Sequence, residues 1–217
     1  MTTIINLWGG AGCGKSTLAA LLYAQMKMQG RDVELVREYV KPWVWEGRPI
    51  RSDDELYIFT KQLRAESHLY GKVDWIVTDR PLGLSAVYER FFTSNSTLEQ
   101  IWRGILQEQT GKGIKHLNLM VARTHPYQRT GRNQTEEESK AVDKICREVM
   151  PGMPLVSTPK HILSILDGDD EWMCTACGKE LDGPGMTLGG GGPFCLPCGE
   201  RIDAALQSDG QLVFSDS

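Results

Sequence analysis

Residues Gly9 to Thr17 read GGAGCGKST, a G-x-x-x-x-G-K-[S/T] spacing at the end of a short apolar run that begins almost at the first residue. That spacing describes a loop whose glycines let backbone N–H groups crowd around phosphate oxygens. Its surroundings constrain the fold. TIINLW before it reads as a buried strand, and KSTLAALLYAQMKMQG after it carries Leu18, Leu21, Leu22 and Met26 at helical spacing and closes at Gly30. A phosphate held there sits at a helix N-terminus, where unpaired N–H groups and the helix dipole both favour negative charge. The stretch Gly9, Gly10, Ala11, Gly12, Cys13, Gly14, Lys15, Ser16 and Thr17 is therefore expected to cradle a nucleoside triphosphate. Lys15 would reach the β and γ phosphates, and the Ser16 hydroxyl would bind Mg²⁺.

Strand and helix signals then alternate, the pattern of a parallel sheet covered on both faces. Strands are expected near residues 3–8, 33–37, 74–79, 116–122 and 161–166, giving an α/β fold with a five-stranded parallel sheet. One intervening helix opens with a capping box from Ser52 to Glu55 and continues with Leu56, Phe59 and Leu63 on one face; another opens with Thr135 and Glu138, then shows Val142, Ile145 and Val149. The acidic DGDDE at 167–171 reads as a linker, dividing a domain over 1–167 from a small module over 168–217. With 217 residues the chain is long enough for one full core and such an appendage. No run of about 18 apolar residues exists, so no membrane-spanning helix is expected. The N-terminus runs straight into the first strand without a signal-peptide pattern, and the cytoplasm is the expected location. A formal charge of −4 supplies no overall basic field, so any nucleic-acid contact has to come from a local patch.

In open α/β sheets ligands bind beyond the carboxyl ends of the strands. The third strand runs into TDRPLG, where Asp79 is the expected second contact to Mg²⁺, or else a helix cap. Arg80 beside it either binds phosphate or lies along the surface. The second strand runs into REYVKPWVW: Glu38 is a candidate base for a hydroxyl proton, and Trp43, with Trp45 nearby, a platform on which a base can stack. The alternative is a solvated Glu with two tryptophans at the core edge. The fourth strand runs into ARTHPYQRTGRNQTEEES, whose Arg123, Arg129 and Arg132, with His125 and Tyr127, suggest a lid that closes on transferred charge, or simply an exposed basic loop.

This phosphate loop near residue 10, REYVKPW, DRP and the arginine-bearing loop together resemble the nucleoside and nucleotide kinases of the P-loop NTPase class. In deoxynucleoside kinases a Glu followed five positions later by Trp supplies the base and part of the acceptor pocket, which Glu38 and Trp43 match. Asp79-Arg80 matches their acidic-Arg pair, with Asp in place of Glu. More narrowly, GRNQTEEESKAVDKI at 131–145 is similar to a segment of bacteriophage P-loop proteins, among them kinases that phosphorylate 5-hydroxymethyluracil within DNA during genome hypermodification, which evades host restriction. The resemblance covers residues 1–166. It implies an ATP- and Mg²⁺-dependent kinase with Lys15, Glu38, Asp79, Arg123 and Arg132 in catalysis and Trp43, Arg80 and Arg129 on the substrate. The implied partner is DNA carrying a modified pyrimidine, in the host cytoplasm, or a free nucleoside or nucleotide. Against a polymer substrate stands the acidity of the chain.

Two C-x-x-C pairs, Cys174/Cys177 and Cys195/Cys198, lie seventeen residues apart near the C-terminus. Both sulfurs of such a pair can face one ion, so four thiolates are expected to close a structural Zn²⁺ site in a zinc-ribbon or treble-clef-like module; a redox role is the alternative. Cys13 and Cys146 are expected to be free thiols. Outside the enzyme class, the rival function is an ATP-switched protein whose zinc module grips nucleic acid.

Overall fold

A computed structural model describes residues 1–168 and the backbone of 186–188 and 191–194. The chain divides into two compact units, Met1–Pro151 and Gly152–Ser217. Asp167, the first residue of the expected linker, ends a helix. Residues 169–171 and all four C-x-x-C cysteines lie outside the described residues, as does the expected zinc module apart from two short strands.

The first unit is built on four parallel strands, β1 (Thr3–Trp8), β2 (Val33–Val36), β3 (Trp75–Thr78) and β4 (Lys115–Val121), in the order β2-β3-β1-β4. β1 is central, with Ile4, Ile5, Leu7 and Trp8 fully buried, which is why it reads as a continuous apolar run rather than an alternating one. Thr78 is in register with Val36 on one side and with Asn6 on the other, and Trp8 with Met120. The carboxyl ends of the strands therefore share one edge, and Gly9, Glu38, Asp79 and Arg123 all follow from it.

Helix α1 (Lys15–Met28) buries Leu18, Ala19, Leu22 and Met26. Leu21, expected on that face, is 54% exposed because the buried stripe runs through positions four apart and passes it by. The short α2 (Lys41–Trp45) follows β2, and α3 (Asp54–Ser67) precedes β3. The expected capping box of α3 does not form: its N-cap is Asp53, in helical conformation and with no side-chain cap bond. Its inward face is Glu55, Ile58, Phe59, Gln62 and Glu66, so the expected Leu56 faces outward and Glu55 inward. Among the described residues no cation compensates Glu66, and burial pushes its carboxyl up to about 8.

Helices α4 (Gly83–Thr93) and α5 (Thr97–Gly111) pack beside β1. Gly83 is required there, since a Cβ would lie 2.3 Å from Trp8 and 2.9 Å from Trp102, two rings that meet edge to face. Helix α6 (Glu136–Val149) opens on the expected capping box, with the Thr135 amide donating to Glu138 Oε2 at 2.7 Å and the Glu138 amide to Thr135 Oγ1 at 3.2 Å. In the second unit come β5 (Leu155–Val156), α7 (Pro159–Asp167) and an antiparallel ribbon of β6 (Met186–Leu188) and β7 (Gly191–Phe194). Residues 1–168 thus hold five strands, the expected number, but residues 161–166 are helix. Thr158 caps α7 through the His161 amide and Pro159 takes its first turn, a start signal that outranks a short apolar run.

Candidate active site

The loop after β1 has its tight geometry because Gly14, at φ 103°, occupies a left-handed conformation that a side chain rarely adopts, directly before α1. Gly10 is required for a different reason: a Cβ there would meet the Ser139 carbonyl oxygen at 2.2 Å. The Lys15 ammonium folds back over the loop, donating to the Gly9 and Gly10 carbonyls at 2.6 and 2.8 Å. Ser16 and Thr17 follow in the exposed first turn of α1. From this loop a cleft of about 500 Å³ extends past Glu38, Glu55 and Arg80 to Leu84, Tyr88, Phe91 and Phe92, with Arg132 and Gln134 as part of its wall.

Along the cleft, Asp79, Glu38, Arg80 and Glu55 form one connected polar set. Asp79 is buried and accepts the Glu38 backbone N–H on Oδ1 at 2.8 Å, so it fixes the chain at Glu38 instead of capping α4, which has no side-chain cap. Arg80 is buried, which excludes the surface alternative. It donates through Nη1 to Glu38 at 3.2 Å and through Nη2 to Glu55 at 2.7 Å. Its guanidinium lies 5.2 Å from the centre of the Tyr88 ring, and Tyr88 donates its hydroxyl to Gln134 Oε1 at 3.3 Å. Burial pushes the Glu55 carboxyl up, against the lowering effect of Arg80. Burial alone would lower Arg80, but the Glu55 and Glu38 carboxylates outweigh it and hold its charge more firmly than usual. Glu38 keeps part of its side chain open to the cleft, at 29% exposure.

The structure thus brings Lys15, Ser16, Glu38, Arg80 and Arg132 to one cleft, with Asp79 beneath Glu38. It does not bring Trp43 or Arg129 there. Trp43 stacks on Tyr57 at 6.0 Å and is covered by the Arg48 guanidinium at 3.6 Å, while Val44, one position on, lines the cleft. Trp45 is 66% exposed; it packs against Gly131, whose carbonyl accepts from Lys41 at 2.7 Å. On the loop after β4, Arg129 is exposed. Arg132 stands 5.2 Å from the Tyr127 ring, near Gly12, with Nη1 buried and without a hydrogen-bond partner among the described residues. Arg123 is turned under the phosphate loop, donating to Asp143 at 2.6 Å and to the Ala11 carbonyl at 3.2 Å.

Sequence reasoning missed Glu55, Tyr88 and Asp143. Glu55 was hidden by its apparent capping role, and Tyr88 has no local signal. Asp143 does carry one, a carboxylate inside the apolar stripe of Val142, Cys146 and Val149. Cys13 and Cys146 are both buried free thiols, as expected.

Among the described residues no group of three or more His, Cys, Asp or Glu side chains could hold a metal ion by itself. Mg²⁺ in a site of this kind needs less from the protein, since phosphate oxygens and water complete its shell. The Ser16 hydroxyl and the Asp79 carboxylate are hard oxygen donors of the right type. No helix among the described residues is long and apolar enough to cross a membrane.

A parallel α/β sheet with this loop between β1 and α1 defines a P-loop NTPase fold, and such a fold implies the use of ATP and Mg²⁺. The chain belongs to the AAA_28 family, an AAA domain, whose model matches residues 4–163. No curated protein matches its sequence. Similar solved structures include deoxyadenosine kinase from M. mycoides with bound dATP, at 15% identity and a TM-score of 0.48, covering 76% of this chain and 98% of that one. The same enzyme with products dCMP and a flexible dCDP gives 15% and 0.44, covering 76% and 99%. A mutant APS kinase from Mycobacterium tuberculosis gives 12% and 0.38, covering 69% and 95%.

Proposed function

We propose that this protein is a kinase that transfers the γ-phosphate of ATP to a hydroxyl of a nucleobase or nucleotide. The observation that carries the reading is that one cleft joins the phosphate loop, with Lys15 and Ser16, to an open carboxylate, Glu38, set by a buried arginine. A site that only hydrolyses ATP has little use for an apolar chamber behind that carboxylate, walled by Leu84, Phe91 and Phe92.

In this reading Lys15 exchanges its carbonyl partners for β and γ phosphate oxygens, and the loop amides hold the chain of phosphates in line. Mg²⁺, when bound, neutralises charge between the β and γ phosphates; Ser16 and Asp79 would hold it. Glu38 accepts the proton of the attacking hydroxyl while Arg80 keeps its carboxylate oriented. Arg132, on the lid segment, supplies positive charge to the transferring group, and its unpartnered Nη1 supports that role. Arg129 is kept as a substrate contact made when the lid closes, and Trp43 as an outer stacking surface.

As acceptor we infer the hydroxymethyl group of 5-hydroxymethyluracil in DNA, the acceptor implied by the resemblance of residues 131–145 to phage kinases. The free nucleoside is the second reading, favoured by the net charge of −4, which gives a polyanion no general attraction. For the tail we propose one structural Zn²⁺ on Cys174, Cys177, Cys195 and Cys198; elemental analysis of the purified protein finding no zinc would remove it. The deciding experiment offers γ-labelled ATP together with hydroxymethylated DNA, ordinary DNA or free nucleosides. Label on modified DNA supports the first acceptor and label on nucleosides the second. Label released only as inorganic phosphate would replace the kinase with an ATP-driven switch.

A further inference from the structure

Helix α6 buries Asp143 in the stripe that otherwise packs Val142, Cys146 and Val149 against the core. A carboxylate in that position is costly unless it is paired and hydrogen-bonded. Its partners are both parts of the nucleotide site. Oδ1 accepts the backbone N–H of Gly10 at 2.6 Å, and Oδ2 accepts Nε of Arg123 at 2.6 Å. Arg123 then donates to the Ala11 carbonyl and, through Nη2, to the Ser139 carbonyl, both at 3.2 Å, and Ser139 Oγ donates to the same Ala11 carbonyl. The Gly10 amide and the Ala11 carbonyl are therefore both held from α6 and Arg123, and the Gly10 N–H is spent on Asp143 rather than offered to phosphate. The close approach that forbids a Cβ at Gly10 is the same contact, with Ser139 one turn before Asp143.

We propose that Asp143 is a positioning residue for the phosphate loop: through Gly10 and Arg123 it locks the first half of the loop to α6, so that the remaining amides and Lys15 hold their phosphate-binding arrangement. Arg123 acts in this lock and not on the transferred phosphoryl group. Because α6 starts directly after the segment bearing Arg132 and Gln134, the lock also ties the loop to the base of the lid. Asp143→Ala removes both bonds and leaves Arg123 without its counter-charge, whereas Asp143→Asn keeps an oxygen acceptor for Gly10 and loses the charge-assisted bond to Arg123, since its amide nitrogen cannot accept from Nε. The inference rests on the reading of this loop as an ATP site.

The experiment measures binding of ATP and of inorganic tripolyphosphate by calorimetry for the wild type, Asp143→Ala, Asp143→Asn and Arg123→Lys, with thermal melts of each. Charge-assisted hydrogen bonds of this kind are strong, and losing them is expected to weaken both ligands by about tenfold or more in Asp143→Ala. A smaller loss is expected in Asp143→Asn, with melting temperature close to wild type. Tripolyphosphate and ATP should lose the same factor, since the defect lies at the phosphates. Unchanged affinity in folded Asp143→Asn and Arg123→Lys would overturn the proposal, also where Asp143→Ala does not fold. So would a loss for ATP but not for tripolyphosphate. A wild type that binds neither ligand would instead refute the ATP-site reading itself.

Discussion

Replacing Arg80 by methionine tests the polar set behind Glu38, because the side chain is similar in length but leaves Glu55 buried without a counter-charge. Arg80 is 4% exposed and Glu55 2%, with 2.7 Å between them, so almost no water can take over the solvation of the carboxylate. Breaking a buried pair from one side costs about 3–5 kcal/mol. Against a total stability of about 5–15 kcal/mol this is a large fraction, and it corresponds to a drop in melting temperature of roughly 6–20 °C. The loss depends on pH in a fixed direction. Burial already raises the folded-state pKa of Glu55, and losing Arg80 raises it further. An acid whose folded pKa lies above its unfolded value contributes stability that is complete below the unfolded value, about 4.3, and is lost as pH rises through the folded value. The gap between wild type and Arg80→Met should therefore narrow on acidification from pH 8 to pH 5. Adding Glu55→Gln should restore most of the stability at pH 8, yet not phosphoryl transfer, since Glu38 still lacks its partner. Thermal melts and denaturant titrations at several pH values read all of this. A loss under about 1 kcal/mol, or a gap that does not change with pH, would refute the reasoning from burial.

Lys15→Ala should abolish ATP turnover and weaken ATP binding with the fold intact, as calorimetry and circular dichroism would show, because the partners it has here, the Gly9 and Gly10 carbonyls and the Cys13 sulfur, all belong to the phosphate loop. Glu38→Gln should lower phosphoryl transfer by about 10²–10⁴ with ATP and Mg²⁺ binding preserved, whereas Asp79→Asn should raise the Mg²⁺ requirement as well; steady-state kinetics across Mg²⁺ concentrations separates them. Glu66, with its carboxyl near 8, should make the protein lose stability as pH rises from about 4.5 to 8, and Glu66→Gln should flatten that slope in denaturant titrations.

The parts of the fold legible in the sequence are those where several local signals agree. Strand β1, the glycine loop and α1 are fixed together by an apolar run, a spacing and a periodicity, and the α6 cap by a reciprocal pair of side chains. The parts that were not legible are those where a charged residue is buried by tertiary structure. Glu55 stands three residues after Ser52, so local rules assign it to a cap, but Arg80, twenty-five positions away, draws it inward. Arg123 reads as one more lid arginine because nothing in its neighbourhood announces Asp143, a loop and two turns of helix further on. HILSIL fails as a strand for a simpler reason. A short apolar run has no period of its own, and the Thr158-Pro159 start before it decides for helix.

The same buried pairs bear on which acceptors suit the cleft. A phosphate on the acceptor, as in a nucleoside monophosphate, calls for a free guanidinium fork that can take two oxygens at once. Arg80 is the arginine nearest the candidate base, and its two terminal nitrogens are committed to Glu38 and Glu55. A further anion would find only the remaining N–H groups of Arg80, and would set three negative groups around one cation. A neutral hydroxyl faces no such conflict, since it needs only the open oxygen of Glu38 and an apolar wall for the ring behind it. Among acceptors with a nucleobase, the charge arrangement therefore favours those that present an uncharged hydroxyl to Glu38, whether on a modified base or on a sugar, over those that present a phosphate.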